Sequence, residues 1–247
     1  MIIKYLGTAA AEGLPGLFCE CETCKQARIN GGKDIRSRSQ LLVNDDLLID
    51  YPADSFYHFV LYKIDFSKIH SILISHSHSD HFYPNDFTCF YTGMSRPNGC
   101  LPCTIYGSKD IFDNGLKKYI ENPSNQGLHF NELIPFAKYK IGKYNVIPLP
   151  ASHGTENPFI YIINDGTKAF LYGHDSGLFK DEIYDYLKQN NIKLDLVSLD
   201  CCCANMSEGM AYHMNIKMNR EVVSKLKSIG AINNQTKIVI NHFSHNA

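Results

Sequence analysis

The sequence predicts an α/β protein in which sheets are covered by helices. Short β-branched or leucine-rich runs recur along the chain, and helical stretches separate several of the later runs. Strands that first follow one another and later alternate with helices are typical of such layered folds. The 247 residues are enough for one substantial core, or for two halves that share one. We expect a single domain over residues 1–247.

The predicted strands are short, and several are apolar enough to be buried on both faces. They are Ile2–Leu6, Gln40–Val43, Leu47–Asp50, Ile72–Ser75, Thr104–Tyr106, Tyr144–Leu149, Phe159–Ile163, Lys168–Tyr172, Leu194–Leu199 and Lys237–Ile240. Between two of them, residues 164–167 carry Asp-Gly, the usual pair of a two-residue hairpin.

The stretches between other strands predict helices. These are Lys109–Glu121, Phe179–Gln189 and Lys217–Ile229. In the last of them, Val222, Leu226 and Ile229 recur at the helical period and define an apolar face. Residues 82–103 are rich in aromatic residues, Gly and Pro, which indicates loops.

Composition narrows the class of protein. The net charge is −1, which gives no electrostatic footprint for nucleic acid. No apolar run is long enough to span a bilayer, and the first residues predict a strand and not a signal peptide. The nine cysteines therefore indicate thiols and metal ligands in a reducing compartment, not disulfides. We expect a cytoplasmic protein; the pair Cys100 and Cys103 is interpreted as two ordinary thiols.

Residues able to bind metal or move a proton follow five separate predicted strands. They are His76, His78, Asp80 and His81 after the fourth strand, His153, His174 with Asp175, Asp200, and His242. Ligand sites of open α/β sheets gather outside the carboxyl ends of strands. The recurrence of such residues at strand ends predicts one convergent site.

The spacing within residues 75–81 favours metal binding. His76 and His78 are two apart, so extended backbone points both the same way, toward one ion. A turn that begins near Ser79 would carry Asp80 and His81 toward a neighbouring position, where they can hold a second ion. Histidine and carboxylate suit zinc, manganese, iron or nickel. Two ions ~3.5–4 Å apart clamp both the attacking and the leaving oxygen.

A second cluster of possible metal ligands lies at residues 19–24. Cys19, Cys21 and Cys24 have the spacing Cys-x-Cys-x2-Cys and need one more ligand to close a tetrahedral zinc. The alternative is three unrelated thiols. The fourth ligand need not be local in sequence.

The run His-Ser-His-Ser-Asp-His at 76–81 resembles the HxHxDH signature of the metallo-β-lactamase superfamily. Residues 47–54 also resemble that superfamily's second-strand segment, where Asp50 is interpreted as a buried structural carboxylate. The resemblance implies an αββα sandwich. It also implies that one ion is held by His76, His78 and His153, the other by Asp80, His81 and His242, with Asp175 bridging.

The thiol spacing narrows the resemblance to the phosphoribosyl cyclic phosphodiesterases of the carbon–phosphorus lyase pathway. In that subfamily a Cys-x-Cys-x2-Cys loop meets a histidine of a late His-x-x-His pair, which Asn-His-Phe-Ser-His supplies at 241–245. The resemblance implies a structural zinc held by Cys19, Cys21, Cys24 and His245. The catalytic pair would then be two divalent ions, Zn, Mn or Ni, and His242 would bind one of them.

Other residues keep two interpretations. His213 either contacts the phosphate and protonates the leaving oxygen, as the resemblance implies, or is a surface residue at a helix N-terminus. Asp200 either orients a ligand histidine or is a strand-end carboxylate. The aromatic residues of 82–91 either line a substrate pocket or belong to the core.

These observations predict a metal-dependent phosphodiesterase that hydrolyses a small phosphodiester, cyclic or nucleotide. The resemblance implies a metal-bridging hydroxide as nucleophile, with Asp80 and His213 in catalytic roles. We expect a small-molecule partner and neither membrane nor nucleic acid; a monomer and a homodimer are both left open. The alternatives are a same-fold hydrolase of a thioester, lactone or lactam, and a non-catalytic metal-binding or redox-sensing protein.

Overall fold

The computed structural model describes residues 1–90, 94–95, 102–120 and 127–247. These residues contain two six-stranded sheets. Each sheet lies in its own compact unit. The first unit comprises Met1–Ala11, Ser37–Ile134 and Thr155–Asn157, and the second comprises Glu12–Arg36, Pro135–Gly154 and Pro158–Ala247. The single domain over residues 1–247 stays a prediction.

The first unit contains the sheet with strand order β1-β2-β3-β4-β5-β6. Its strands are β1 (Ile3–Gly7), β2 (Gln40–Val43), β3 (Leu47–Ile49), β4 (Ser71–Leu73), β5 (Cys103–Gly107) and β6 (Leu128–Glu132). β1, β2 and β3 pair antiparallel, whereas β3, β4, β5 and β6 pair parallel. The parallel strands therefore end at the same edge of this sheet.

The second unit contains the sheet with strand order β12-β11-β10-β9-β8-β7. Its strands are β7 (Tyr139–Ile141), β8 (Tyr144–Pro150), β9 (Phe159–Asn164), β10 (Ala169–Gly173), β11 (Leu196–Asp200) and β12 (Lys237–Asn241). β9 is antiparallel to both β8 and β10, and β10, β11 and β12 are parallel. β8, β10, β11 and β12 consequently run in one direction and share a carboxyl edge.

Four α-helices accompany the sheets in the described residues: α1 (Glu22–Asn30), α2 (Ser55–Tyr62), α3 (Asp181–Gln189) and α4 (Ile216–Ser228). The Asn215 side chain caps α4 by accepting a hydrogen bond from the Met218 N–H. Helix α4 buries Val222 and Leu226 in the core of the second unit, as the helical period predicts. Among the described residues, no helix has both the length and the apolar character needed to cross a bilayer.

Every predicted strand is present, with ends shifted by a residue or two. The predicted helix Lys109–Glu121 is helical but irregular where the structure describes it: residues 109–110 are α-helical, and a short π-helix at Ile111–Gly115 and a 3₁₀ turn at Leu116–Lys118 follow. Position 115 requires glycine, because a Cβ there would lie 2.5 Å from Cε1 of Phe82. Glycine also disfavours a continuous helix. Glu121 lies outside the described residues.

The aromatic residues after the histidine motif belong largely to the core of the first unit. Phe82 and Phe87 are buried among the apolar side chains there, and Phe90 packs against them. This favours the core interpretation for these three residues. Tyr91, and Cys100 of the pair with Cys103, lie outside the described residues.

Candidate functional site

The first unit places the histidine motif directly after β4. The chain leaves the strand at Leu73 and turns at residues 78–82, where the carbonyl of His78 accepts hydrogen bonds from the His81 N–H (3.0 Å) and the Phe82 N–H (2.7 Å). The turn begins close to Ser79, as predicted. It separates the motif into two adjacent pairs of ligand-type side chains.

Both pairs have the spacing that a shared cation needs. His76 Nε2 lies 3.1 Å from His78 Nδ1, and Asp80 Oδ2 lies 3.5 Å from His81 Nε2. His76, Asp80 and His81 are buried, whereas His78 is exposed. Crowded imidazole nitrogens and a carboxylate are the donor set of a divalent transition metal, so the motif is compatible with divalent metal binding.

Asp50 fixes the orientation of His81. It follows β3, and its Oδ2 accepts a hydrogen bond from His81 Nδ1 (2.7 Å) while Oδ1 accepts one from the Ser75 N–H (2.7 Å). With the proton on Nδ1, His81 Nε2 is the nitrogen that can bind a metal. Asp50 is buried as predicted, but the sequence interpretation missed this contact. An acidic residue at the end of a central buried strand is the pattern that could have indicated it.

Asp175 is the centre of the cluster in the second unit. Its Oδ1 lies 3.0 Å from His213 Nδ1, 3.4 Å from His153 Nδ1 and 3.5 Å from His242 Nε2. His153, Asp175 and His242 follow β8, β10 and β12, which share a carboxyl edge. The structure therefore brings together the predicted ligands that this unit contains. The assignment of individual ligands to particular ions stays a prediction.

Asp200 contacts the same nitrogen of His213 that Asp175 contacts. It is the last residue of β11 and is fully buried; Oδ1 accepts hydrogen bonds from the Met214 N–H (2.7 Å) and the Cys202 N–H (3.1 Å). Its Oδ2 lies 3.3 Å from His213 Nδ1. This contact favours an orienting role for Asp200, with His213 as the residue it orients.

The two carboxylates favour a protonated His213. Burial lowers the pKa of the imidazole, but hydrogen bonds and charge from Asp175 and Asp200 outweigh burial and raise it to about 10. The His213 ring also stacks on the His242 ring, with centroids 5.9 Å apart and planes 14° apart. These contacts fix the plane of the His213 ring.

His174 is a strand-end histidine that lies apart from the Asp175 contacts. Its Nε2 is 2.6 Å from Ser198 Oγ, and its ring lies 4.3 Å from the Tyr172 ring centroid. It is buried in the sheet of the second unit. A strand-end position alone therefore does not identify a ligand.

Residues 19–24 and 245 form a second cluster within the second unit. One ligand atom from each of Cys19, Cys21, Cys24 and His245 lies within 4.8 Å of the others. The His245 Nδ1 is 3.6 Å from Cys21 Sγ and 3.9 Å from Cys19 Sγ. Tetrahedral zinc places sulfur and nitrogen ligands about 3.6 Å apart. The four residues fit such an ion.

The thiols of this cluster differ in acidity. A hydrogen bond from the Cys24 backbone N–H is the main reason that the pKa of Cys21 falls to about 6. Burial raises the pKa of Cys24 to about 11. One thiolate is thus ready at neutral pH, whereas another requires a cation to lose its proton.

Close packing and hydrogen bonds hold the residues of the cysteine cluster in place. A Cβ on Gly16 would lie 2.7 Å from His245 Nε2, so only glycine leaves room for that ring. The Gly16 N–H donates to Cys24 Sγ (3.2 Å), and Ser244 Oγ hydrogen-bonds Glu12. These contacts attach the cysteine segment to the residues that follow β12.

Comparison with solved structures shows the fold. A diphosphatase of the PhnP family is similar at 20% identity and a TM-score of 0.72, over 99% of this chain and 87% of that chain. Zn²⁺-bound PqqB from Methylobacterium extorquens is similar at 15% identity and 0.69, over 99% and 98%. Human tRNase Z, short form, is similar at 17% identity and 0.68, over 100% and 94%. These likenesses confirm the predicted αββα fold class.

Comparison with curated protein sequences finds no significant match. The family described as the beta-lactamase superfamily domain matches residues 53–242, from the segment before α2 to the histidine after β12. That range contains the histidine motif, Asp175 and His213, and it covers most of the chain. The chain belongs to the beta-lactamase superfamily.

Proposed function

We propose that this chain is a metal-dependent phosphodiesterase that hydrolyses a small phosphodiester, cyclic or nucleotide. The observation that carries the proposal is His213, whose Nδ1 lies 3.0 Å from Asp175 and 3.3 Å from Asp200. Two carboxylates on one imidazole nitrogen favour a ring that carries both protons. Such a ring can supply a proton to a leaving oxygen, which ester and phosphodiester hydrolysis both need.

We propose that the predicted ligands serve one dinuclear centre. His76, His78 and His153 would hold one ion, and Asp80, His81 and His242 the other, with Asp175 between them. The donor chemistry fits zinc, manganese or nickel, because every group is an imidazole or a carboxylate. When bound, two such ions polarise the phosphoryl group and activate a water molecule.

The chain's own groups have separable tasks in this reaction. Asp50 keeps the proton of His81 on Nδ1 and so directs Nε2 toward the ligand position. Asp200 and Asp175 hold His213 by Nδ1, which leaves the opposite nitrogen, Nε2, to reach substrate. As the P–O bond breaks, Nε2–H donates its proton to the departing oxygen and the imidazole becomes neutral. Asp80 is proposed to act as the ligand beside His81.

A small substrate fits the charge of the chain. A long polyanion such as RNA requires many Lys and Arg contacts to phosphates. The chain has 24 Lys and Arg against 25 Asp and Glu, so it has no excess of positive charge to meet a polyanion. The proposal therefore names a small molecule as partner.

The thiol cluster is proposed to hold a structural zinc through Cys19, Cys21, Cys24 and His245. The proposal rests on their mutual approach and on the distances from His245 Nδ1 to two sulfurs, 3.6 and 3.9 Å. His242 and His245 are three residues apart in sequence. An ion at the thiol cluster would therefore steady the segment that presents His242.

A substrate panel tests the proposed reaction. The chain, reloaded separately with zinc, manganese and nickel, is assayed on bis(p-nitrophenyl) phosphate, a lactone, a β-lactam and a thioester. We expect hydrolysis of the phosphodiester, and none in Asp80→Ala purified in parallel. Turnover of the carboxylic substrates alone would identify a same-fold acyl hydrolase. Metal binding with no turnover of any substrate would support the metal-binding or redox-sensing alternative.

A further inference from the structure

A hydrogen-bonded series of buried polar side chains begins at the backbone carbonyl of Asp50 in the first unit. Gln40 at the start of β2 and His58 on the inner side of α2 are both fully buried. We propose that Gln40 is a positioning residue: it fixes the backbone of Asp50, and through Asp50 it fixes the imidazole of His81. The inference rests on the proposed function, in which His81 binds a catalytic ion.

Asp50 needs such support because its backbone is left-handed, with φ 63°. Non-glycine residues avoid this conformation unless their surroundings hold them there. The Asp50 N–H donates to the Leu73 carbonyl (2.8 Å), and its own carbonyl accepts from Gln40 Nε2 (3.0 Å). Its carboxylate binds the Ser75 N–H and His81 Nδ1. Gln40 thus binds the backbone carbonyl of Asp50, while the neighbouring strand binds its N–H and the histidine motif binds its carboxylate.

The hydrogen bonds around Gln40 admit a single direction. The Asp50 carbonyl can only accept, so Gln40 must present its amide N–H₂ there; the same group donates to Ser55 Oγ (3.0 Å), which donates to the Pro52 carbonyl (2.6 Å). Gln40 Oε1 must then accept from His58 Nδ1 (2.6 Å). The last hydrogen bond of the series joins Ser37 Oγ and His58 Nε2 (2.6 Å). Each partner fixes the orientation of the next.

Packing alone does not explain this arrangement. Buried polar groups are costly unless all are paired, and an apolar set of the same shape can be equally stable. The series ends on the carbonyl of Asp50, the residue that orients His81. A displacement of that carbonyl would therefore move the His81 imidazole. A glutamate at position 40 would aim an oxygen at that carbonyl, and a methionine would offer no donor.

Two substitutions at one position separate positioning from packing. Gln40→Met conserves volume and removes the donor, whereas Gln40→Glu keeps the shape and reverses the polarity. Leu42→Ala is the control, because Leu42 is buried two residues along the same strand, on the same face, and contributes only packing. Each protein is purified, freed of metal and titrated with Co²⁺, whose thiolate absorption reports the cysteine cluster separately from the histidine–carboxylate centre.

We expect Gln40→Met to weaken Co²⁺ binding at the histidine–carboxylate centre about tenfold, the lower end of the effect of removing a group that supports a ligand. Gln40→Glu should weaken it at least as much. Binding at the cysteine cluster should not change, and Leu42→Ala should lower thermal stability without changing either affinity. The ¹H–¹⁵N signal of His81 Nδ1–H in the metal-free protein should be lost in Gln40→Met and kept in Leu42→Ala.

Unchanged Co²⁺ affinity in Gln40→Met together with a retained Nδ1–H signal would overturn the inference. An equal loss of affinity in Leu42→Ala would overturn it too, since that loss would follow stability alone. Should the wild-type chain bind no Co²⁺ at the histidine–carboxylate centre, the proposed function fails. The Nδ1–H comparison then decides the positioning role by itself.

Discussion

The two ligand clusters of the second unit are built in opposite ways. Around Asp175, the clustered residues His153, Asp175, Asp200 and His242 sit at the ends of strands that one hydrogen-bonded sheet aligns. Around His245, Cys19 and Cys21 lie in the irregular segment before α1, Cys24 lies in the first turn of α1, and the fourth ligand comes from the segment after β12. A cluster supported by a sheet keeps its geometry when empty, whereas one supported by loops depends on its ion for order. The difference predicts that damage to the first costs activity and damage to the second costs stability.

The strongest test of that division is Asp175→Asn. The substitution removes the charge that three imidazole nitrogens surround, so we expect diesterase activity to fall below detection while the far-ultraviolet circular dichroism and the melting temperature stay near wild type. Asp195→Asn is the matched control, since Asp195 lies in the same unit but pairs with exposed Lys168. Retained activity in Asp175→Asn would contradict the proposed site.

A smaller loss of activity is expected for His213→Gln, about 10²–10⁴-fold in kcat, the usual contribution of a general acid. The loss should be largest for an alkyl diester, whose leaving oxygen needs a proton, and smallest for bis(p-nitrophenyl) phosphate. Steady-state kinetics on the two substrates measures this difference. An equal loss on both would assign His213 to binding and not to proton transfer.

The converse test acts on the thiol cluster. Cys21→Ser should lower the free energy of unfolding by on the order of 3 kcal/mol, a fraction of the binding energy of a structural zinc, with kcat per folded molecule retained. Urea denaturation with and without a chelator measures it. Cys89→Ser, which removes a thiol outside the cluster, should leave stability near wild type. A loss of activity without a loss of stability in Cys21→Ser would reverse the comparison.

His58 differs from the histidines of both clusters, because it is a buried histidine whose ring nitrogens lie in hydrogen bonds with Ser37 and Gln40. Burial lowers its pKa to about 4, against the opposing charge of Asp54. The unfolded chain, with a histidine pKa near 6.5, binds the proton first as the pH falls. Stability from this residue is therefore intact above about pH 6.5 and declines by about 3 kcal/mol toward pH 4.

Urea denaturation at a series of pH values measures this decline, with His58→Gln as the comparison because glutamine keeps polar contacts without titrating. The difference in unfolding free energy between wild type and His58→Gln should narrow or change sign as the pH falls from 6.5 to 4. A difference that is constant over this range would show that His58 does not titrate in the folded protein.

The smallest expected effect is that of Gly16→Ala. The added methyl group would meet His245 Nε2 at 2.7 Å and Cδ2 at 3.1 Å, so the ring must shift. We expect a loss of about 1–2 kcal/mol in stability, as for other overpacked sites, and no change in kcat. Gly154→Ala, whose methyl group would meet only Tyr212 at ordinary contact distance, controls for the change in backbone entropy.

The parts of the fold that could be predicted are the strands rich in β-branched residues or leucine, the edge strands β1 and β12 included. β6 and β7 were missed because β6 contains no β-branched residue and β7 has only three residues. Helix α1 was missed because it buries little more than Cys24 and Ala27. Aromatic and β-branched residues obscured α2, since they favour strands.

The site was predictable where one short motif carries it, and less so where side chains from separate strands meet. The ligand types at residues 76–81 follow from local spacing. The contacts of Asp50 with His81, and of Asp200 with His213, join residues 31 and 13 positions apart, and no local pattern reports them. Gln40 and His58 give no indication in the sequence, because glutamine and histidine are most often surface residues. The oligomeric state stays a prediction.

Three residues of the candidate site, Asp50, Asp175 and His242, share a left-handed backbone, with φ of 63°, 53° and 62°. Glycine adopts that conformation without steric cost. A design procedure that favours low-energy torsion angles would choose glycine at all three positions. The resulting protein would be more stable but inactive. Strain of this kind therefore offers a practical marker when the residue is also buried: in related chains, a buried carboxylate or imidazole at a position where glycine would be less strained points to a functional residue.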